Sequence, residues 1–159
     1  MKAIRCKAYG PPSSLVLEEV DNLKPKAKEV LVAVKACGLN FPDTLIIQGL
    51  YQFKPELPFT PGSDVAGIVK EVGEGVSHLK VDQEVFGFVA HGALAEEVLV
   101  PANACFPKPP QMDFPTAASF LMAYGTSYHA LKDRAKLAEG ETLLVLGASG
   151  GVGLAAVEL

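Results

Sequence analysis

Glycine and proline divide the first hundred residues into short apolar runs, and this spacing limits the possible folds more than any other feature of the sequence. The chain has 15 glycines and 12 prolines among 159 residues, above the average usage of both. The runs between them alternate apolar and polar residues or are rich in β-branched side chains, as strands are. The sequence therefore predicts a mostly-β domain, with strands at Lys2–Ala8, Leu15–Val20, Val30–Cys37, Ala66–Val72, Glu84–Phe88 and Leu94–Val100.

The segment between the third and fourth predicted strands differs from its surroundings. Phe41–Gln48 is predicted to be a short helix, and Tyr51–Gly62 carries prolines at positions 55, 58 and 61. Residues without a backbone N–H do not fit a central strand. We therefore expect Tyr51–Gly62 to be a loop, long enough to cover a pocket.

The pattern changes after Pro110. Gly140 is expected to end a helix, and the apolar run that follows is typical of a strand buried on both faces of a parallel sheet. The predicted order is helix, helix, buried strand, glycine loop and helix, at Pro115–Met122, Thr126–Leu137, Thr142–Leu146, Gly147–Gly153 and from Val152 onward.

These patterns predict two domains, with a boundary between residues 124 and 125. A strand buried on both faces needs neighbouring strands and covering helices, which a single β-loop-α unit does not supply. We therefore expect the chain to be the N-terminal piece of a longer protein and to self-associate through Thr142–Leu159. The alternative is that the last residues fold onto the β domain in another way.

Charge and hydropathy exclude several classes of protein. The chain has 14 basic and 18 acidic side chains, with a net charge of −4, and no basic stripe that would bind nucleic acid. The apolar stretch around Ala117–Tyr124 is shorter than the ~20 residues that a membrane span needs. Cys6, Cys37 and Cys105 are widely spaced, and Met1–Tyr9 alternates charged and apolar residues, unlike an apolar signal segment. We therefore expect reduced thiols in a cytoplasmic protein without a membrane partner.

The glycine loop matches the dinucleotide fingerprint G-x-G-x-x-G with alanine at its first position. Small residues let the chain turn sharply, approach a pyrophosphate and pack the next helix closely, and the helix N-terminus offers free amides to the phosphates. The residues predicted to bind the dinucleotide are Ala148, Ser149, Gly150, Gly151, Val152 and Gly153. An ordinary tight turn is the alternative. The residue that selects NAD or NADP is expected about 20 residues further on, beyond Leu159.

The order of the two predicted domains resembles the medium-chain dehydrogenase/reductase superfamily. The resemblance extends almost from end to end, and its carriers besides the glycine loop are Ala36–Asp43, Pro61–Gly67, Val72–Val76 and Ala118–Leu131. It implies a mostly-β GroES-like catalytic domain over residues 1–124. It also implies that residues 125–159 are the first β-loop-α unit of a Rossmann-type nucleotide-binding domain, which is incomplete.

Asn40 and the pair Ser63-Asp64 stand where zinc-dependent members of the superfamily have a cysteine and a His-Glu pair. An amide and a hydroxyl do not replace the thiolate and imidazole that zinc requires. We therefore expect no metal. The run Gly38–Asp43, together with Gly49–Tyr51, instead resembles the zinc-independent NADPH:quinone oxidoreductases.

This resemblance implies an enzyme that transfers a hydride from NADPH to a small-molecule quinone or activated alkene, and it implies a homo-oligomer. Negative charge then develops on the substrate oxygen and must be met by hydrogen-bond donors. Asn40 and Tyr51 are predicted to be the catalytic donors, and Asn40 and Thr126 are predicted to bind the cofactor. Leu45 replaces a second tyrosine that relatives often have, which makes the pocket more apolar.

Each of these residues also has a structural interpretation. Asn40 would be a turn residue, Tyr51 a loop aromatic packed under prolines, and Thr126 a helix N-cap. Helix capping likewise accounts for Asp43. For the chain as a whole, the alternatives are a non-catalytic GroES-like module and an acyl-chain enoyl reductase. The 159 residues by themselves are expected to bind NADPH weakly and to lack quinone turnover.

Overall fold

The structure is a computed structural model that describes residues Met1–Leu159. Its strands are β1 (Lys2–Arg5), β2 (Val16–Glu19), β3 (Glu29–Gly38), β4 (Asp64–Val72), β5 (Glu84–Phe88), β6 (Glu97–Pro101) and β7 (Cys105–Pro107). Its α-helices are α1 (Phe41–Ile46), α2 (Phe114–Ala118), α3 (Phe120–Tyr128) and α4 (Gly151–Glu158). The chain forms two compact units, Met1–Ser119 and Phe120–Leu159. The division lies slightly before the predicted boundary.

A five-stranded antiparallel sheet forms the body of the first unit. Its strand order is β6-β3-β4-β5-β7, so β3 and β4 lie at the centre. Alternation along each strand directs branched side chains to one face, where they pack into a continuous core. That core consists mainly of valines: Val30, Val32, Val65, Val69, Val85, Val89, Val98 and Val100.

A separate two-stranded ribbon, β1 with β2, lies beside a smaller apolar cluster. Cys6, the residue after β1, forms an isolated antiparallel β-bridge with Phe59. The side chains of Cys6 and Phe59 pack with those of Ile46 and Ile47. The β1 strand is therefore connected to the long loop Tyr51–Gly62.

The predicted mostly-β architecture of the first unit is confirmed, with one strand missed. Strand β7 has only three residues and ends at Pro107. It pairs with β5 alone, at the edge of the sheet, where a proline is tolerated because one side of the strand makes no ladder. Three residues, the last of them a proline, are too few to show an alternating pattern in the sequence.

The chain beyond Pro110 differs from the prediction in three places. The helix predicted over Thr126–Leu137 begins earlier, at Phe120, and its helical turns end at Arg134. The predicted helix Pro115–Met122 is interrupted at Ser119, which caps α2 before α3 begins. The prediction that Thr142–Leu146 forms a buried strand is wrong. No segment of the chain pairs with these residues, and Leu144 and Leu146 are 80% and 84% exposed; without a pairing backbone an apolar run does not become a strand.

The remainder of the second unit is helical. A π-helical turn, His129–Arg134, continues α3, and α4 follows the glycine loop. None of the helices has the length and the apolar character that crossing a lipid bilayer requires.

Candidate functional site

The register of β3 and β4 creates a polar cluster at one end of the central sheet. Gly38 is paired with Asp64 in this antiparallel ladder. Asn40, which follows β3, therefore meets Ser63 and Asp64 at the start of β4. Helix α1 begins directly after Asn40, which has extended backbone angles.

Gly38 is required by a close approach of helix α2. A Cβ atom at this position would lie 2.2 Å from the carbonyl oxygen of Ala118, far inside van der Waals contact. The end of β3 and the end of α2 are therefore in backbone contact, and the polar cluster lies beside this rigid junction.

Hydrogen bonds connect the members of the cluster. The Asn40 side-chain Nδ2 donates to Asp64 Oδ2 at 3.1 Å, and the Asn40 backbone N–H donates to Asp43 Oδ2 at 2.8 Å. The Ser63 hydroxyl donates to Asp43 Oδ1 at 3.3 Å. Asp43, Ser63 and Asp64 are all buried. Asn40 is thus held through both its side chain and its main chain.

Cys37 lies close enough to this cluster for the carboxylates to affect the pKa of its thiol. Burial, and then the negative charges of Asp43 and Asp64, raise the pKa of the Cys37 thiol to about 12. Because the thiolate is the reactive form of cysteine, Cys37 is neutral and unreactive at physiological pH. It is therefore no candidate for a nucleophile.

Asn40 also borders an apolar pocket of the first unit. The pocket has a volume of about 410 Å³, which is within the size range of small-molecule sites. Its apolar lining comes from Ile4, Pro12, Leu15, Leu39, Ile47, Pro61 and Leu94, and its polar lining from Asn40, Asp43 and Thr44. An amide next to an apolar wall suits an aromatic or alkenyl carbonyl compound.

Tyr51 does not line this pocket, but the apolar cluster against which it packs shares Ile47 and Leu15 with the pocket lining. Its half-buried ring packs against the apolar cluster that contains Cys6 and Phe59. The loop it begins is anchored by Arg5, whose guanidinium donates to the Pro58 carbonyl at 2.7 Å and to the Thr60 hydroxyl at 3.2 Å. This packing agrees with the structural interpretation of Tyr51. Its catalytic role stays a prediction.

The glycine loop of the second unit turns closely into α4, although the strand predicted before it is absent. Gly147 adopts a left-handed conformation with φ of 71°. A Cβ on Gly153 would lie 2.2 Å from the Gly147 carbonyl oxygen, so only glycine permits this close packing of the helix on the loop. The alanine at the fingerprint's first position, Ala148, is exposed together with Ser149.

The start of α4 leaves backbone donors available for a phosphate. The first N–H that donates within the helix is that of Leu154, to the Gly150 carbonyl at 2.8 Å. The amides of Gly151, Val152 and Gly153 precede it and have no acceptor within the helix. Ser127 secures this turn by donating its hydroxyl to the Val152 carbonyl at 2.6 Å. The loop therefore fits the pyrophosphate of a dinucleotide.

Thr126 lies inside α3, so its interpretation as an N-cap is wrong. Continuous helical backbone precedes it, and a cap position requires the helix to begin there. Its exposed hydroxyl lies 3.9 Å from the Met122 sulfur. Cofactor binding by Thr126 stays a prediction.

Sequence reasoning missed the polar partners of Asn40. From the sequence, Ser63 and Asp64 mark a departure from a zinc site, Asp43 is explained by capping, and neither carboxylate is assigned a role. The spacing of Asn40 and Asp43 contains a signal for the capping contact. No local signal connects Asn40 with Asp64, because they meet only through strand register.

Comparison with known proteins assigns the chain to a family. The family model described as alcohol dehydrogenase GroES-like domain matches residues 26–110. The chain belongs to this family. It is 44% identical over 161 residues to the quinone oxidoreductase of Rattus norvegicus, an alignment that covers 100% of this chain and 49% of the relative. The GroES-like chain thus spans about half the length of the curated relatives it matches.

Solved structures confirm the predicted fold class and the quinone oxidoreductase branch of the medium-chain dehydrogenase/reductase superfamily. The human synaptic vesicle membrane protein VAT-1 homolog-like protein gives a TM-score of 0.96 at 36% identity, covering 99% of this chain and 51% of that one. The quinone oxidoreductase of Thermus thermophilus, crystallised also with NADPH, gives 0.87 at 37% identity, covering 99% and 49%. The CurK enoyl reductase gives 0.91 at 33% identity, covering 99% and 50%.

Proposed function

We propose that this chain contributes the substrate-binding domain and the pyrophosphate loop of a zinc-independent, NADPH-dependent quinone oxidoreductase. The observation that carries the proposal is Asn40 itself, beside an apolar pocket: the buried Asp64 holds its side-chain amide and the buried Asp43 holds its backbone N–H. The quinone oxidoreductase relatives support the reaction class.

Bound NADPH would supply a hydride from C4 of its nicotinamide ring. The protein's task is then to stabilise the negative charge that develops on the substrate oxygen, which requires positioned N–H or O–H donors. The Asn40 Nδ2 is such a donor, and the Tyr51 hydroxyl is the second candidate. The apolar wall of the pocket would accommodate the ring of a quinone.

The glycine loop would hold the cofactor's pyrophosphate. Backbone amides of Gly151, Val152 and Gly153 face the N-terminal end of α4, where the helix dipole favours an anion. Gly150 has no side chain and Ala148 has only a methyl group, so the approach of the pyrophosphate is left open. The hydroxyls of Ser149 and Thr126 would add polar contacts to the cofactor.

The test is NADPH oxidation by the protein encoded by the complete reading frame, with 1,4-benzoquinone as the acceptor. We expect Asn40→Ala to lower kcat/KM about 10²-fold, the lower end of the usual cost of one donor, because quinones accept hydride readily. The matched control is Ser14→Ala, an exposed hydroxyl that bonds only the Pro11 carbonyl. Absence of turnover by the wild-type protein would favour a non-catalytic GroES-like module instead.

An enoyl reductase is the second candidate, because the CurK enoyl reductase shares this fold closely. The same assay with an unsaturated acyl thioester distinguishes the two. A kcat/KM higher for the thioester than for any quinone would assign the chain to enoyl reduction.

Zinc independence can be measured directly. Amide and hydroxyl donors occupy the positions of Asn40 and Ser63, and both are already engaged with the carboxylates. We expect elemental analysis of the purified protein to give a molar ratio of zinc to protein of about 0.1 or less. Stoichiometric zinc that survives dialysis against a chelator and disappears in Cys37→Ser would contradict the proposal.

A further inference from the structure

The contact between Asp64 and Asn40 determines which end of the Asn40 amide is available to a ligand. The Asn40 amide turns its nitrogen, not its oxygen, toward Asp64, whose Oδ2 accepts the hydrogen bond. The Nδ2 to Oδ2 distance is 3.1 Å. The Nδ2 atom has two hydrogens, and this bond uses one of them.

Asp64 is a rigid acceptor. It is 1% exposed and lies in the central strand β4, paired with Gly38 of β3 and with Phe88 of β5. A residue whose backbone is fixed on both sides cannot move away without breaking the ladder. The position of the Asn40 amide is therefore set by the core of the sheet.

Asp43 fixes the other half of Asn40. Its Oδ2 accepts the Asn40 backbone N–H, and its Oδ1 accepts the Ser63 hydroxyl. Main chain and side chain of Asn40 are thus held by different carboxylates. Charge-assisted hydrogen bonds of this kind are about twice as strong as neutral ones, which suits a residue that must hold its orientation.

We infer that Asp64 is the positioning residue of the site: it holds one Nδ2 hydrogen of Asn40 so that the second stays directed at the substrate oxygen. This inference rests on the proposed function, in which Asn40 is the donor. Asp64 itself does not contact the substrate. Its effect on turnover passes entirely through Asn40.

The experiment is a double-mutant cycle in the protein encoded by the complete reading frame, assayed with 1,4-benzoquinone. Asp64→Ala removes the acceptor, whereas Asp64→Asn keeps a neutral acceptor oxygen. We expect Asp64→Ala to lower kcat/KM at least tenfold, by analogy with partners that orient metal ligands, and Asp64→Asn to retain most of the activity. In the Asn40→Ala background, Asp64→Ala should cause no further loss.

The matched control is Asp113→Ala. Asp113 caps α2 in the same unit by accepting the Thr116 backbone N–H at 2.8 Å, so its loss lowers stability without touching Asn40. We expect its kcat/KM to stay within twofold of the wild type. Losses from Asp64→Ala and Asn40→Ala that multiply in the double variant would overturn the inference and assign Asp64 a purely structural role.

A spectroscopic measurement on the 159-residue chain keeps the inference testable if Asp64→Ala does not fold. The Asn40 side-chain amide is identified in ¹H–¹⁵N spectra by its absence in Asn40→Ala. We expect one of its two protons to be shifted downfield and to move toward the random-coil position in Asp64→Asn. Unchanged shifts would contradict the contact. A wild-type protein without turnover would refute the proposed function and leave this contact intact.

Discussion

Each of the two units of this chain contains an apolar run of similar composition, and one run is buried whereas the other is exposed to solvent. In β3, the residues Val30, Leu31 and Val32 are paired on both sides and no more than 2% exposed. The run Thr142–Leu146 has no pairing partner, and its leucines face solvent. The comparison shows that an apolar run becomes a strand only when other backbones complete its hydrogen bonds.

Hydrogen exchange should show the largest contrast between the two runs. Amides in the ladder of β3 and β4 exchange only when the unit opens, so we expect rates on the order of 10³-fold or more below the random-coil rates. Amides of Thr142–Leu146 should exchange at nearly random-coil rates. The measurement is exchange followed by NMR in the 159-residue chain. Comparable protection in both runs would show that the second run is paired in solution.

A matched pair of leucine substitutions measures the same contrast as free energy. Leu31→Ala leaves a cavity in the first unit, and we expect a loss of about 2–5 kcal/mol in the free energy of unfolding. Leu144→Ala removes an exposed side chain, so its effect should stay within about 0.5 kcal/mol. Urea denaturation followed by circular dichroism measures the free energy of unfolding of both variants. A large effect of Leu144→Ala would mean that this side chain is buried in solution.

The glycine loop sharpens the comparison, because it is well defined although the run before it is unpaired. In Gly153→Ala the new Cβ would meet the Gly147 carbonyl oxygen, and we expect a cost of about 1–3 kcal/mol as the loop and α4 separate. Gly151→Ala is the control, since its nearest neighbour, the Ala123 Cβ, is 4.0 Å away. Helical circular dichroism and the NMR shifts of residues 147–158 report the effect. Equal spectra for both variants would refute the close contact.

The smallest expected effect is an alkaline loss of stability confined to the first unit. Burial raises the pKa of Cys37 and of Cys105 from 9.0 to about 12, with help at Cys37 from Asp43 and Asp64. A raised folded pKa stabilises the protein below pH 9, and this stability is lost as the pH rises toward 12. We expect each thiol to lower the free energy of unfolding by about 1 kcal/mol at pH 10.

Denaturation midpoints at pH 8 and pH 10 test this expectation. The double variant Cys37→Ala with Cys105→Ala lacks both thiols and should lose less stability between the two pH values than the wild type does. Equal losses in the two proteins would show that other groups cause the alkaline effect.

Some residues of the candidate site could be predicted from the sequence, but their long-range contacts could not. Asn40 was identified through the family motif, and its role as the residue before a helix follows from the sequence around it. Asp64 was not connected with Asn40, because residues 24 positions apart meet only through the register of β3 and β4. The donor role of Tyr51 stays a prediction, and the apolar cluster in which its ring packs is not revealed by the local sequence.

The sequence by itself determined the features that depend on neighbouring residues. These are the alternating strands of the first unit, the starts of the helices that follow Asn40 and Asp113, and the glycine loop with its required Gly153. Only the tertiary structure decided which strands pair, that Thr142–Leu146 stays unpaired, and that the Asn40 amide is held by a buried carboxylate. The physical reason is the distance along the chain over which each kind of interaction acts. Backbone preferences and caps act over a few residues, whereas pairing and burial depend on segments that are far apart in the chain.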